Sequence, residues 1–561
     1  FDKANLKVWV MEAGFKPGEK EPVVPQPEDP NELKGDGTEA NPYVLKTAEH
    51  MVAMRTLAVL GQATYFSMAN DIDMASVANW TPVNWDENFE REVHFDGNGK
   101  TITNFAPTSF VSDDQTTAAQ YPSLFGVLYG SCKNLTIKNS KIIVSETTPS
   151  CGFLGGYVGT AGKPAVVENV SVQGEVYGGS CVGALAGQSN GTTTYRNCTI
   201  DAVLTSAGTD LGGIVGKIRG DSEMTGCSVK ATFVSTAKNK NRVGGMIGWN
   251  STATTTITDC HVLEGTTLTD QSGRTDSDNG NYGGFIGFGD SAGTVLKISN
   301  CSAHAIIDAG ISTYNAGFIG GTGYESTVEV TDSWAAGSVI GANYSAGFIG
   351  AIQSHVTISR CWADVDVTSS GQRCGAFAGC NTKFPATISD CYATGNIAAT
   401  GQQVGGIIGY ASFPITITNC YATGNVSSAT AGTGGIAGTI SAESTVSNCI
   451  AWNATIDCQR TANDKWAPGA VVGAASVAGN YSGCYRRADM NFIDAAGAMV
   501  LVDQEDVANG FPAAPSYSEE TTQAAYHGKA AAADATASSV AKSIGWDESI
   551  WDLSGDLPKL K

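Results

Sequence analysis

Val404-Gly405-Gly406-Ile407-Ile408-Gly409, followed by Thr416-Ile417-Thr418-Asn419-Cys420-Tyr421-Ala422-Thr423-Gly424-Asn425-Val426, is the stretch that decides the fold. Its first half returns as Gly212 to Gly216, Gly244 to Gly248, Gly283 to Gly287, Ala316 to Gly320, Ala346 to Gly350 and Gly434 to Gly438. Its second half returns as Ile388 to Ile397 and, more loosely, around Cys198, Cys227, Cys260, Cys301, Cys361 and Cys449, with Ser333 in place of Cys once. The steps from Cys361 to Cys391, Cys420 and Cys449 are 30, 29 and 29 residues. Such a period marks a solenoid, because each unit buries its apolar side only by stacking on the next.

Within the repeat, Ile415, Ile417, Asn419 and Tyr421 fall on one alternating phase, and Thr416, Thr418 and Cys420 on the other. Alternation implies strands but leaves the inward face open. The expected turn has two or three short strands, with Gly at tight corners. Stacked turns form parallel sheets with equivalent positions about 4.8 Å apart, so the Cys series becomes a ladder. Small apolar thiols suit a buried column. Cys374 with Cys380, and Cys458 with Cys484, are the spacings that suggest disulfides. No CxxC pair occurs and there are 6 His, so zinc is not expected.

The chain has 561 residues, 68 of them Gly, and a formal charge of -21. That charge repels nucleic acid and anionic membranes. No run of 18 apolar residues suggests a transmembrane helix. Richness in Gly, Thr and Asn-Pro suits an exported product, and a lipid anchor removed before Phe1 is one expectation for how it is held.

These motifs resemble the GLUG-repeat family of bacterial surface proteins. Gly35 to Tyr43, Asn70 to Met74, Phe95 to Ile102 and the closing Trp546 to Leu560 extend the resemblance over about 35 to 561. The resemblance implies an all-β fold, a right-handed parallel β-helix with small helical or irregular caps. It also implies an extracellular or outer-surface location and a role in adhesion or in binding glycans or host-surface proteins. Some relatives sit beside an immunoglobulin A protease domain, which would bring a His-Glu-x-x-His zinc helix. His50 is followed by Met51 and His94 by Phe95, so that activity is not carried over.

Three segments are expected. Residues 1–31 form an extension with one strand expected at Leu6 to Met11 and a Pro- and Glu-rich linker. Residues 32–492 form the β-helix with its N-terminal cap, including a helix capped by Thr47 and running to Leu60. Residues 493–561 form a C-terminal arm or cap, with an Ala-rich helical stretch from Thr521 to Lys542 and with Trp546 and Trp551 packed.

Trp334, Trp362, Tyr392 and Tyr421 follow the Cys position on successive turns, so an inward Cys puts them outward in a column. Aromatic rings spaced by about 4.8 Å along a flank suit a glycan chain. The competing expectation is that the column packs under the C-terminal arm or at a corner. Asp276, Asp278 and Asn279 offer oxygen ligands for calcium in a loop that lacks the full EF-hand pattern; no other cofactor is expected. Asp364 and Asp366 lie about 7 Å apart on one strand face, a spacing a glycosidase could use, although neighbouring turns do not repeat the pair. The reading reached is non-catalytic adhesion or ligand binding along the flank. A polysaccharide lyase or glycoside hydrolase, and a structural stalk, are the alternatives.

Overall fold

A computed structural model describes residues 32–85, 90–275, 280–290, 293, 295–323, 325–459, 468–476, 479–494, 497–498, 501 and 524–561. The extension at 1–31 and the calcium candidates Asp276, Asp278 and Asn279 lie outside the described residues. The chain winds as a right-handed parallel β-solenoid with helical and irregular caps.

One turn shows how the repeat builds it. Val404–Gly405 joins a 10-stranded sheet and Ile408–Ala411 a 13-stranded sheet. Ile415–Thr418, Tyr421–Ala422 and Val426–Ser428 then join a 32-stranded sheet. Thus the turn holds five short strands, more than the two or three expected. The turns above and below lie in register, with Tyr421 paired to Tyr392 and Ile450, and Ile417 to Ile388 and Val446.

The extra interruption comes from the residue before each Cys. Asn197, Asp259, Asn300, Asp332, Arg360, Asp390, Asn419 and Asn448 all have φ between 51° and 53°, and Gly226 and Gly483 take the same place at 65° and 62°. Asn, Asp and Gly tolerate the left-handed region best. Such a residue turns the chain and resets the alternation. Ile415, Ile417 and Cys420 are therefore all buried, and Tyr421 points away from the main core. A continuous alternation through Asn419 is incorrect for this reason.

The corner side chains also bond along the stack. Asn169 Nδ2 donates to Asn134 Oδ1 at 3.0 Å, Asn197 to Asn169 at 3.1 Å, and Asn419 to Asp390 Oδ1 at 3.1 Å. Arg360 grips Asp332 with two bonds of 2.6 and 2.7 Å.

All fifteen Cys are buried free thiols, so the pairs Cys374–Cys380 and Cys458–Cys484 are not disulfides. Along the ladder each thiol donates weakly to a carbonyl at its corner; Cys391 Sγ lies 3.1 Å from Ser389 O and Cys420 Sγ 3.2 Å from Thr418 O. Ser333 does the same at 2.7 Å. Burial pushes the Cys374 thiol up to about 11 and Cys151 to about 12.

At the N-terminal end, helix α1 (Ala48–Leu57) starts at Thr47, whose Oγ1 accepts from His50 N at 3.3 Å. Met51 and Met54 of α1 enter the main core. The helix ends before the expected Leu60, because Ala58 is already extended at ψ 121°.

At the C-terminal end, Asn491–Asp494 still belongs to the long sheet. Ala524–Tyr526, expected to be helical, is a strand antiparallel to Val472–Ala475. Among the described residues of that stretch, helix α2 covers Ala537–Ser543, after a capping box made by Thr536 and Ser539. Residues 531–560 carry a separate apolar cluster that packs on the flank of the solenoid.

Candidate functional site

The chain brings Trp334, Trp362, Tyr392 and Tyr421 together in one column. Their ring centroids are 4.8, 5.9 and 4.8 Å apart, and successive planes differ by 5°, 6° and 12°. Rings stacked this way spend their faces on one another and turn their edges outward. A sugar approaching the flank therefore meets indole and phenol edges rather than a row of open faces.

The column has two different halves. Tyr421 is 2% exposed and its hydroxyl donates to Pro558 O at 2.6 Å. Trp546 and Trp551 lie 6.3 and 6.1 Å from its ring. Trp551 also lies 6.2 Å from Tyr392, and its Nε1 donates to Asp390 Oδ1 at 3.3 Å. The arm thus sits over the Tyr421 end. Burial, with Asp364 nearby, pushes the Tyr392 hydroxyl up to about 12. Trp362 and Trp334 continue the column and are half-buried. Above Trp334 the stack stops at Ser302, whose Oγ pairs with His261 Nδ1 at 2.8 Å.

Asp364 and Asp366 do share an exposed strand face. Asp364 accepts from Thr394 Oγ1 at 2.8 Å; Asp366 accepts from the Asn396 backbone at 2.9 Å and its side chain at 3.0 Å. Asn396 passes the pattern to Asn425 N at 3.0 Å, and Asn425 to Thr455 N at 3.1 Å. These carboxylates begin a structural ladder.

A second aromatic strip escaped the sequence reading. The residue after the last Gly of the motif is Tyr157, Gln188, Lys217, Trp249, Phe288 and later Tyr410, and these line one column of the 13-stranded sheet. The last Gly folds this strand against the 10-stranded sheet. A Cβ on Gly216 would come within 2.7 Å of Val182 N, and one on Gly409 within 2.6 Å of Cys374 N. Facing side chains then interlock. Lys217 Nζ and Arg242 Cζ lie 3.6 and 3.5 Å from the Trp249 ring centroid. Arg242 Nε pairs with Asp210 Oδ1 at 2.6 Å, and Arg373 Cζ sits 4.5 Å from the Tyr410 ring. Desolvation holds the Lys217 ammonium below its ordinary value. The signal was present in sequence as an aromatic directly after Gly156, Gly248, Gly287 and Gly409.

Near the N-terminal end, Glu92 Oε1 is 2.9 Å from His94 Nε2, and His94 Nδ1 is 3.0 Å from Ser131 Oγ. Tyr65 stacks on His94 at 4.5 Å. A cavity of about 610 Å³ lined by Glu92, His94, Tyr129 and Lys163 adjoins this relay.

The GLUG motif family matches residues 400–427. A protein of Evansella cellulosilytica, provisionally named a Gly-rich membrane protein, is 33% identical over 147 residues, which is 25% of this chain and 15% of that protein. A Bacteroides ovatus crystal structure, provisionally named an immunoglobulin A1 protease, aligns over 94% of both chains at 17% identity and a TM-score of 0.27. With the GLUG motif carried on a right-handed parallel β-solenoid, the chain is consistent with the GLUG-repeat surface protein family.

Proposed function

We propose that this chain is an exported binding protein of a bacterial outer surface, and that its solenoid flank holds a glycan or a cell-surface protein without catalysis. The observation that carries the reading is the open half of the aromatic column, where Trp334 and Trp362 continue beyond the arm. In this reading the Trp334 and Trp362 edges contact the ligand, Tyr392 marks the border, and Tyr421 seats the arm. Indole edges supply apolar area and N–H donors together, a combination suited to a partner with both hydroxyls and C–H surface. The surface/solenoid architecture itself is consistent with adhesion or binding.

The test is a glycan and cell-surface-protein array probed with the full chain and with the double variant Trp334→Ala, Trp362→Ala. Tyr421 is left intact, because its loss would disturb the arm. Binding lost in the folded double variant supports the flank. Undiminished binding in that variant removes these residues from the site.

A hydrolase is the second reading, and the Glu92–His94–Ser131 relay is the observation favouring it. A hydroxyl, an imidazole and a carboxylate in bonded sequence form the arrangement that activates a nucleophile. Labelling of Ser131 by a fluorophosphonate, abolished by His94→Gln, would support it; an unlabelled native chain would exclude a serine nucleophile of that type.

A further inference from the structure

Where the arm meets the solenoid there is a cavity of about 480 Å³ lined by Trp452, Arg487, Asp489, Ala535, Thr536 and Asp556. Its size falls in the range of small-molecule sites. Two of its walls belong to different parts of the chain. Trp452 and Arg487 come from consecutive turns, tied by Trp452 N to Ala422 O at 2.8 Å and Arg487 N to Ala451 O at 3.1 Å. Ala535 and Thr536 lie at the entry to α2, and Asp556 is held by its carbonyl, which accepts from Ser538 N at 3.2 Å.

Trp452 packs against the arm's apolar cluster, which fixes its position. Arg487 and Asp489 form a two-bonded pair at 2.6 and 2.8 Å, and the guanidinium holds the Asp489 carboxyl below its ordinary value. Asp489 remains open to solvent on its other side, with 75% of its side chain exposed. The site thus combines an indole, a planar guanidinium–carboxylate pair and a second carboxylate. A pyranose presents matching chemistry, an apolar C–H surface for the indole and adjacent hydroxyls for planar polar groups.

We propose that this junction binds one or two pyranose units of a glycan, with Trp452 as the apolar wall and Asp489, Arg487 and Asp556 as hydroxyl partners. This inference rests on the glycan-binding reading of the flank and places a defined subsite beside it. The cavity exists only with the arm seated, so the arm is part of the binding site as well as a cover for Tyr421.

The test is saturation-transfer NMR and calorimetry on the full chain with methyl glycosides of glucose, galactose, mannose and N-acetylglucosamine. Expected is binding of at least one glycoside, weakened about tenfold or more by Asp489→Asn, which keeps the side-chain shape, and also by Trp452→Phe. Hydrogen exchange of 531–561 checks that the arm stays seated in both variants. Val52→Ala, an exposed side chain on α1 at the opposite end of the solenoid, should leave glycoside affinity unchanged. Glycoside binding indifferent to Asp489 and Trp452 overturns the junction site. So does a chain that binds no glycoside but still holds a polysaccharide through Trp334 and Trp362, an outcome in which the flank reading stands. A chain that binds neither loses both readings.

Discussion

Adding one methyl group to Gly284 should open the solenoid locally, and the size of the effect can be worked from its surroundings. A Cβ there would lie 2.0 Å from Gly317 O and 2.9 Å from Gly317 C, both backbone of the next turn. Relieving the contact requires the two rungs to part by about 1 Å, since heavy atoms pack no closer than about 3 to 3.5 Å. That movement stretches the bonds from Gly284 N to Ala316 O (3.0 Å) and from Phe285 N to Phe318 O (2.8 Å) beyond useful length. Two weakened bonds at about 1 kcal/mol each, added to an overpacking cost of about 1–3 kcal/mol, give about 3–5 kcal/mol. Gly289 is the internal control, because its Cβ would meet only Leu296 Cδ2 at 3.1 Å, the far end of a side chain. Gly289→Ala should change stability by about 1 kcal/mol at most. Repeat arrays do not unfold as one unit, so hydrogen exchange at Phe285 and Phe318 is the right assay. A loss of about 3 kcal/mol corresponds to a protection factor lower by about two decades. Ala376 and Ala470 already occupy this column, so a turn can be built around a Cβ there. Equal protection in Gly284→Ala and Gly289→Ala would show that the turn at 284 adapts as those do, and would refute the argument.

Tyr421→Ala should free the arm, at a cost of about 3–5 kcal/mol for a buried aromatic, read as fast proteolysis within 531–561, whereas Trp334→Ala should leave the arm protected. Cys391→Ser should cost less than Cys391→Val, because only Ser keeps a donor for the Ser389 carbonyl, as Ser333 does for Thr331; thermal midpoints of the two variants decide this. His527 is fully buried, and desolvation, followed by the nearby Arg486 charge, holds its imidazole down to about 4. The unfolded chain, with a pKa of about 6.5, takes up the proton first, so the stability from neutral His527 is full above about pH 7 and lost as pH falls from 6.5 through 4. The loss between pH 7.5 and 4.5 is about 2–3 kcal/mol, measurable as exchange at Ala470, whose N–H donates to His527 Nδ1, and flattened in His527→Gln.

The period, the Gly motif and the Cys column were legible because each is a one-dimensional regularity that stacking converts directly into a sheet. The corner was not legible in the same way. Asn419 looked like one more step of an alternating strand, and only its φ of 53° shows that it resets the phase. The aromatic column was placed by equivalence of positions, but spacing alone says nothing about ring tilt, so faces turned toward neighbours could not be told from faces turned outward. The cover over Tyr421 comes from residues more than a hundred positions downstream, signalled in sequence only by two Trp in a polar tail. The column at Trp249 is hidden in sequence because the glycines before it read as corners, and a corner alone does not say which side chains meet beyond it.

In a solenoid whose turns lie in register, like residues meet like residues, and a column of them satisfies itself. Phe285, Phe318, Phe348 and Phe377 stack inside at 4.7 Å per step, the corner amides bond to the next corner, and Trp334 and Trp362 cover each other. Repetition therefore builds the body and leaves recognition only what stacking does not use, as at the outward indole edges of Trp334 and Trp362. Unspent chemistry should collect where a column changes residue type. One such place is the step from Ser302 to Trp334, where the aromatic stack begins. Another is the series Thr394, Thr423, Trp452 and Arg487, which goes from hydroxyl to indole to guanidinium in consecutive turns. The arm approaches the flank at this second break and adds Thr536 and Asp556 from outside the repeat. A binding site in such a protein is then found by reading columns down the stack for the rung that differs, and this reasoning puts the junction at Trp452 ahead of any uniform stretch of the flank.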